Sequence, residues 1–197
     1  MSERREGTRV LLATGNAHKV TEIQQILGDG WQVEARDPDV EETGDTFEEN
    51  ALIKARALAA ATGDLAVADD SGIEIDALGG APGIRSARWT DEGDWIPRVL
   101  RELDGVPSHG RGCSYVCAAA VVWPAGTGSD GRSEAVVRGT VEGVVPAEPR
   151  GTGGFGYDPV MQPTEGDGRT FAEMSDDEKH ALSHRGRALR LLVPLLD

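Results

Sequence analysis

Three features of the chain predict an α/β fold. A short apolar strand, Val10 to Ala13, runs through a glycine-containing turn into an amphipathic helix. A second helix, opened at Thr46 and stopped at Gly63, leads into another apolar strand, Leu65 to Ala68. Two long strand regions, Cys113 to Trp123 and Ser133 to Val145, flank the turn-rich stretch Pro124 to Arg132 and could pair as an antiparallel ribbon. At 197 residues the chain can bury a full core, as one domain or as two lobes around a cleft.

Composition narrows the function. Charged residues at 27% and hydrophobic ones at 39% describe an ordinary globular protein. No apolar run reaches the ~20 residues that a spanning helix needs, so no membrane partner is expected. The polar start, Met1 to Glu6, lacks the apolar core of a signal peptide, and a cytoplasmic location is expected. A formal net charge of -14 argues against nucleic acid as a partner, because no basic field exists to release counterions. It leaves room for a small phosphorylated ligand held by a few local cations. Cys113 and Cys117 share one face of a strand and read as small buried residues; a zinc site would need further ligands that the neighbourhood lacks.

In chain order, the first eight residues are expected to form a loose tail. The turn Thr14, Gly15, Asn16, Ala17, His18 and Lys19 then leads into a helix carrying Val20, Ile23, Ile26 and Leu27, with Gly28 as its stop. A strand, a glycine turn and a helix start present backbone N–H groups and a positive dipole end to an anion, and Lys19 adds a charge. The Gly-Lys-Ser/Thr ending of a Walker A loop is missing, and any βα connection could share the pattern.

Glu41, Glu42, Thr43 and Gly44 form a loop before the second helix, where Thr46 and Glu49 have the spacing of a capping box. Ala51, Leu52, Ala55, Leu58 and Ala59 make its packed stripe, and Asn50 and Lys54 share another face. In isolation Glu41, Glu42 and Lys54 also read as solvated charges. Next, Asp69 and Asp70 close the Leu65 to Ala68 strand, followed by Ser71 and Gly72, and then Ile73 and Ile75 alternate with Glu74 and Asp76. Two acids at the end of a buried strand are costly unless a cation faces them, which points to a metal or ligand site; a β-turn is the alternative.

Gly79 to Arg88 reads as a glycine-rich connection without a helix, and Asp94 can cap a helix bearing Ile96, Val99, Leu100 and Leu103. Gly151 to Pro159 packs glycines around Phe155, Tyr157 and Asp158, as in a loop that approaches a ligand closely and stacks a ring on it. Ser175 and Glu178 form a second capping box. Lys179 and Arg185 would point apart on one continuous helix, so shared use requires a break near Leu182, with Ser183 capping a new helix at His184. His180 and His184 lie four apart, without the glutamate of a zinc protease motif.

Together these stretches resemble the Ham1/RdgB family of inosine triphosphate pyrophosphatases, also called XTP/dITP diphosphatases. The resemblance rests on Thr14 to Lys19; Glu41 to Gly44 with Thr46 to Asn50 and Lys54; Ala68 to Gly72 with Gly80 to Gly83 and Ser86 to Arg88; Gly153 to Pro159; and Thr170 to Met174 through Lys179 to Gly186. The stretches stand in family order along nearly the whole chain. Met161 and Arg85 depart from residues common at those positions, and neither is a proposed chemical group.

The resemblance implies an elongated α/β fold with a long mixed sheet, flanking helices and two lobes around a nucleotide cleft, in a homodimer. It implies hydrolysis of ITP, dITP and XTP to the monophosphate and pyrophosphate with Mg²⁺. Thr14, Gly15, Asn16, Ala17, His18 and Lys19 would hold the triphosphate with Lys54. Glu42 and Asp70 would hold Mg²⁺, Asp70 would also be the general base with Asp69 beside it, and Ser71 would touch the substrate. Phe155 would stack on the base, Gly156, Tyr157 and Asp158 would line its pocket, and Lys179, His184 and Arg185 would complete recognition.

The chemistry suits the residue types. Phosphates beside carboxylates with no cation would cost about 4 kcal/mol per close pair at an effective dielectric of ~20. A hard cation with oxygen ligands is therefore expected, and Mg²⁺ fits. A guanidinium offers only donors, so Arg185 suits a C6 carbonyl and mismatches the adenine amino group. Two other readings share the residues: a Maf-type pyrophosphatase acting on other nucleotides, and a nucleotide-binding sensor without turnover.

Overall fold

The computed structural model describes residues 8–90, 94–124, 128 and 131–196. The expected loose tail therefore falls outside the described residues except for Thr8, which opens strand β1, and the turn at Pro124 to Arg132 is described only in part.

Six strands form one mixed sheet in the order β2-β1-β3-β4-β5-β6: β1 Thr8–Ala13, β2 Trp31–Arg36, β3 Ala66–Ile75, β4 Gly112–Val122, β5 Glu134–Val144 and β6 Gln162–Pro163. β1 runs parallel to β2 and to β3, and β5 runs antiparallel to β6. The N–H of Trp123 donates to Ser133 O, and that of Val145 donates to Arg111 O. Opposite ends of β4 and β5 thus meet, as an antiparallel pair requires. The helices are α1 Ala17–Leu27, α2 Phe47–Thr62, α3 Trp95–Glu102, α4 Asp176–Leu182 and α5 His184–Leu192.

The chain divides into two compact units. The first comprises Met1–Asp70, Cys117–Gly139 and Arg187–Asp197, and its core gathers Val10, Leu12, Ile23, Val67, Val121 and Leu189. The second comprises Ser71–Val116 and Thr140–Gly186, around Ile73, Ile75, Leu103, Tyr115, Met161 and Phe171.

Local chemistry explains the element ends. Asn16 caps α1 by accepting from the N–H groups of His18 and Lys19, and Gly28, at φ 76°, stops it. Thr46 caps α2 through the Glu49 N–H, but Glu49 reaches past it to the N–H of Asp45, so the expected box closes one residue early. Asp94 precedes α3 without a side-chain cap bond. Gly83–Arg88, expected as a plain connection, coils into a 3₁₀ helix: Ser86 Oγ donates to Gly83 O and accepts from the Ile73 N–H, tying the coil to β3. A Cβ on Gly72 would collide with that coil.

β3 continues straight through the two acids, and no turn forms at Asp69 to Gly72. At the other end of the chain the helix does break: Ser183 is extended (φ -65°, ψ 157°), and its hydroxyl accepts from the Gly186 N–H in the first turn of α5. The Ser175 and Glu178 box that opens α4 is complete.

Hydrogen bonds from Arg169 and from the Ser175 N–H hold the exposed Glu178 carboxyl down at about 2. A depressed carboxyl contributes stability above its ordinary range and loses it as the pH falls through about 2. Glu178→Gln keeps the cap geometry and removes the charge. Thermal melts from pH 7 down to 2 should show a shallower acid decline for the variant than for the wild type.

Candidate active site

In the first unit the sheet sets the geometry. Adjacent residues of a strand face opposite ways, so Asp69 and Asp70 are met by different helices. Lys19, two residues into α1, places Nζ 3.1 Å from Asp69 Oδ2. Lys54, in the middle of α2, donates to Glu42 Oε1 at 2.7 Å and to Asp70 Oδ1 at 3.3 Å. Those two oxygens are thus at most 6.0 Å apart, the sum of the two distances. Both aspartates are buried, Asp69 at 2% exposure and Asp70 at 7%.

Burial lifts the Asp70 carboxyl above its ordinary value, against the pull of Lys54 and Lys19 and with the push of Glu42 and Asp69. Burial works against the charge on Lys54, yet Asp70, Asp69 and Glu42 outweigh it and hold the ammonium above its ordinary range. Asp70 Oδ2 is buried and has no hydrogen-bond partner among the described residues. A carboxylate oxygen held this way can accept a proton or ligate a hard cation.

The turn before α1 faces outward. Gly15, Asn16, Ala17 and His18 are exposed, and Thr14 Oγ1 accepts from the Asn16 N–H. The Asn16 carboxamide already occupies two N–H groups of the helix start, so an anion there must share or displace it. A Cβ on Gly15 would meet the Asp37 carboxylate, which would have to turn aside. The loop bearing Glu42 is fixed by Asn50, whose Oδ1 accepts from the Gly44 N–H at 2.8 Å.

The second unit holds a cluster of cations around one ring. Lys179 Nζ lies 4.7 Å from the centroid of Phe155, and the Arg185 guanidinium carbon 5.7 Å from it. Asp158 anchors the group, accepting from Lys179 Nζ at 2.8 Å and from the Phe155 N–H at 2.7 Å through Oδ2. Gly154, at φ 66°, permits the tight return, and a Cβ there would collide with the Asp158 carboxylate. Arg185, only 1% exposed, donates to Ser71 Oγ at 2.9 Å. The helix break at Ser183 lets Lys179 and Arg185 approach the same ring.

His184 is buried edge-on against Tyr115, with ring centroids 4.6 Å apart. Burial, with Asp158 close by, holds the Tyr115 phenol well above its usual range, so it remains protonated. Gly156 turns at φ 62°. Tyr157 does not offer its ring to a ligand: the ring packs in the core against Trp95, and its hydroxyl donates to Ser86 O at 2.8 Å. Neither cysteine is disulfide-bonded; Cys117 Sγ lies 3.9 Å from Asp69 Oδ2, and Cys113 Sγ lies 3.4 Å from Met161 Sδ. No group of three or more His, Cys, Asp or Glu side chains suited to a metal occurs among the described residues, so His180 and His184 form no such cluster.

Tyr115 is a supporting residue outside every motif stretch, and Ser86 and Asn50 lie inside such stretches, which assign them no role. One sequence signal does point to the site: the chain has 17 arginines but only three lysines, Lys19, Lys54 and Lys179. Each of the three is sheltered and paired with an aspartate, with side-chain exposures of 15%, 12% and 5%.

The Ham1 family matches residues 10–195. The chain is 50% identical over 201 residues to the dITP/XTP pyrophosphatase of Streptomyces avermitilis, covering 96% of this chain and 97% of that one. Among solved structures it is similar to a HAM1 protein from Coxiella burnetii, at 37% identity and a TM-score of 0.80, covering 96% of this chain and 98% of that one. It is also similar to a nucleoside-triphosphatase, dITP/XTP pyrophosphatase, from Mycobacterium abscessus, at 41% identity and a TM-score of 0.72, covering 95% and 100%.

Removing one partner of a buried pair leaves the other charge uncompensated. Asp158→Ala should therefore cost about 3–5 kcal/mol of stability, read from urea unfolding, while the double variant with Lys179→Met should recover part of that loss.

Proposed function

The chain belongs to the Ham1 family, and from that membership we propose that it is a nucleoside-triphosphate pyrophosphatase acting on dITP, XTP and ITP. The observation that carries the reading is the convergence of Glu42 and Asp70 on one cationic point, occupied by the Lys54 ammonium. A triphosphate site needs a point at which carboxylates from separate elements meet a cation, and a loop and a strand supply the two that meet here.

Mg²⁺ is the ion that these hard oxygen donors suit, and Glu42 and Asp70 would hold it, which leaves the unpartnered Asp70 Oδ2 to accept a proton. When bound it would polarise the α-phosphate and neutralise the leaving pyrophosphate. With only two such carboxylates from the protein, the remaining ligands would be water and phosphate oxygens, as is usual for Mg²⁺.

Lys19, Lys54 and the start of α1 hold the phosphate chain. Asp70, its carboxyl lifted by burial, orients a water on the α-phosphorus and takes its proton as the new P–O bond forms. The αβ anhydride breaks and the electron pair leaves with pyrophosphate. Phe155 stacks on the purine, while Lys179 and Arg185 present donors to its carbonyl oxygens. An amino group in place of the C6 carbonyl would set donor against donor, which selects deaminated purines over adenine.

Incubation with a nucleotide panel and Mg²⁺ should yield monophosphate and pyrophosphate from ITP, dITP and XTP, and little from ATP. Orthophosphate as the product, or a pyrimidine preference, would sink the proposal. Asp70→Asn should keep its circular dichroism spectrum and lose about 10²–10⁴ in kcat. Arg185→Ala should reduce kcat/KM for ITP more than for ATP, and equal losses would remove its role in reading the base.

A further inference from the structure

We propose that Lys54 is a displaceable stand-in cation: its ammonium holds Glu42 and Asp70 together until a divalent ion takes that place, and then moves to the phosphates of the nucleotide. The inference rests on the reading of Glu42 and Asp70 as the metal ligands.

Geometry supports it first. One nitrogen bonds both acids, at 2.7 and 3.3 Å, in a position only 12% exposed for the lysine side chain. An ion bound by the same two oxygens would have to sit close to the same point, and two cations cannot share it. Charge supports it next. Asp69, Asp70 and Glu42 face Lys19 and Lys54, three negative groups against two positive, so the set is nearly neutral without any ion. A divalent ion would make it net positive, and a displaced ammonium then becomes the natural partner of an arriving polyanion. Residue type supports it last. An ammonium is a compact charge on a flexible four-carbon stem with three rotatable donors, able to exchange a carboxylate for a phosphate without a fixed fork to realign.

The arrangement keeps the site assembled between turnovers. With no ion bound, the Lys54 ammonium offsets the repulsion of two carboxylate oxygens at most 6.0 Å apart, and the Asn50 bond to the Gly44 N–H fixes the loop independently of Lys54.

The three lysines make the test direct, because amine acylation followed by peptide mass spectrometry reads only Lys19, Lys54, Lys179 and the α-amino group. In the absence of nucleotide, Mg²⁺ should speed acylation of Lys54 while that of Lys179 stays constant. Unchanged Lys54 protection at saturating Mg²⁺ would overturn the proposal. Calorimetric titration with Mn²⁺ gives a second arm. Lys54→Met, and Lys54→Gln in case the first variant unfolds, should bind the ion about 5- to 150-fold more tightly than the wild type; equal or weaker binding would refute displacement. Glu42→Gln separates the premise from the inference: ion binding that survives this change would show that Glu42 is not a ligand, whatever Lys54 does.

Discussion

Two consecutive carboxylates buried in the middle of a sheet impose a constraint that much of the first unit exists to meet. Ionised groups removed from water are stable only with well-placed opposite charge. Because Asp69 and Asp70 face opposite ways along β3, each takes its close ion pair from a different helix. α1 supplies Lys19 to one and α2 supplies Lys54 to the other. The capping of each helix then follows: Asn16 fixes where α1 begins, two residues before its lysine comes into range, and Thr46 fixes the phase of α2. Glu42 enters through the same lysine, so the loop Glu41 to Gly44 is tied to the sheet by an ion pair and to the helix by Asn50.

The second unit solves a different problem with related means. The Phe155 ring must be held in place while two cations are packed beside it. Asp158 does this from below, taking the Phe155 N–H to fix the loop and the Lys179 ammonium to hold that cation near the ring face. Only a residue without a side chain fits at Gly154, where the backbone folds back over the carboxylate. The broken helix is part of the same design. A continuous helix would send Lys179 and Arg185 to different sides, and the extended Ser183 rotates the second segment so that both approach Phe155.

Much of this was legible in the residues, for reasons that differ by element. Caps and stops with local chemistry read well: Gly28, Gly63 and the Ser183 break are set by neighbours in sequence. The 3₁₀ helix at Gly83–Arg88 was not legible, because its order depends on Ser86 bonding to Ile73, thirteen residues away. The straight course of β3 was equally hidden. Asp, Asp, Ser and Gly suit a turn locally, and only lysines from two distant helices let the strand continue. Tyr157 misled for the opposite reason: a tyrosine in a glycine loop looks available for stacking, but the partner of its hydroxyl is the Ser86 carbonyl, far along the chain. Motif resemblance singled out the candidate residues, and it could not say which of them touch each other.

The division between the two kinds of cation carries the synthesis one step further. The chain meets almost every need for positive charge with arginine, including exposed pairs such as Arg56 with Glu134 and Arg169 with Glu178. Lysine is kept for three sheltered places, each against an aspartate. A planar guanidinium is the better partner where direction must be fixed, and Arg185, bonded to Ser71 Oγ, is the site's single use of that property. An ammonium is better where the partner must change, since it has no plane to realign and its three donors rotate freely. On the proposed reading the two lysines near Asp69 and Asp70 would belong to the part of the site whose charge balance alters during the reaction, and the arginine to the part that recognises a shape.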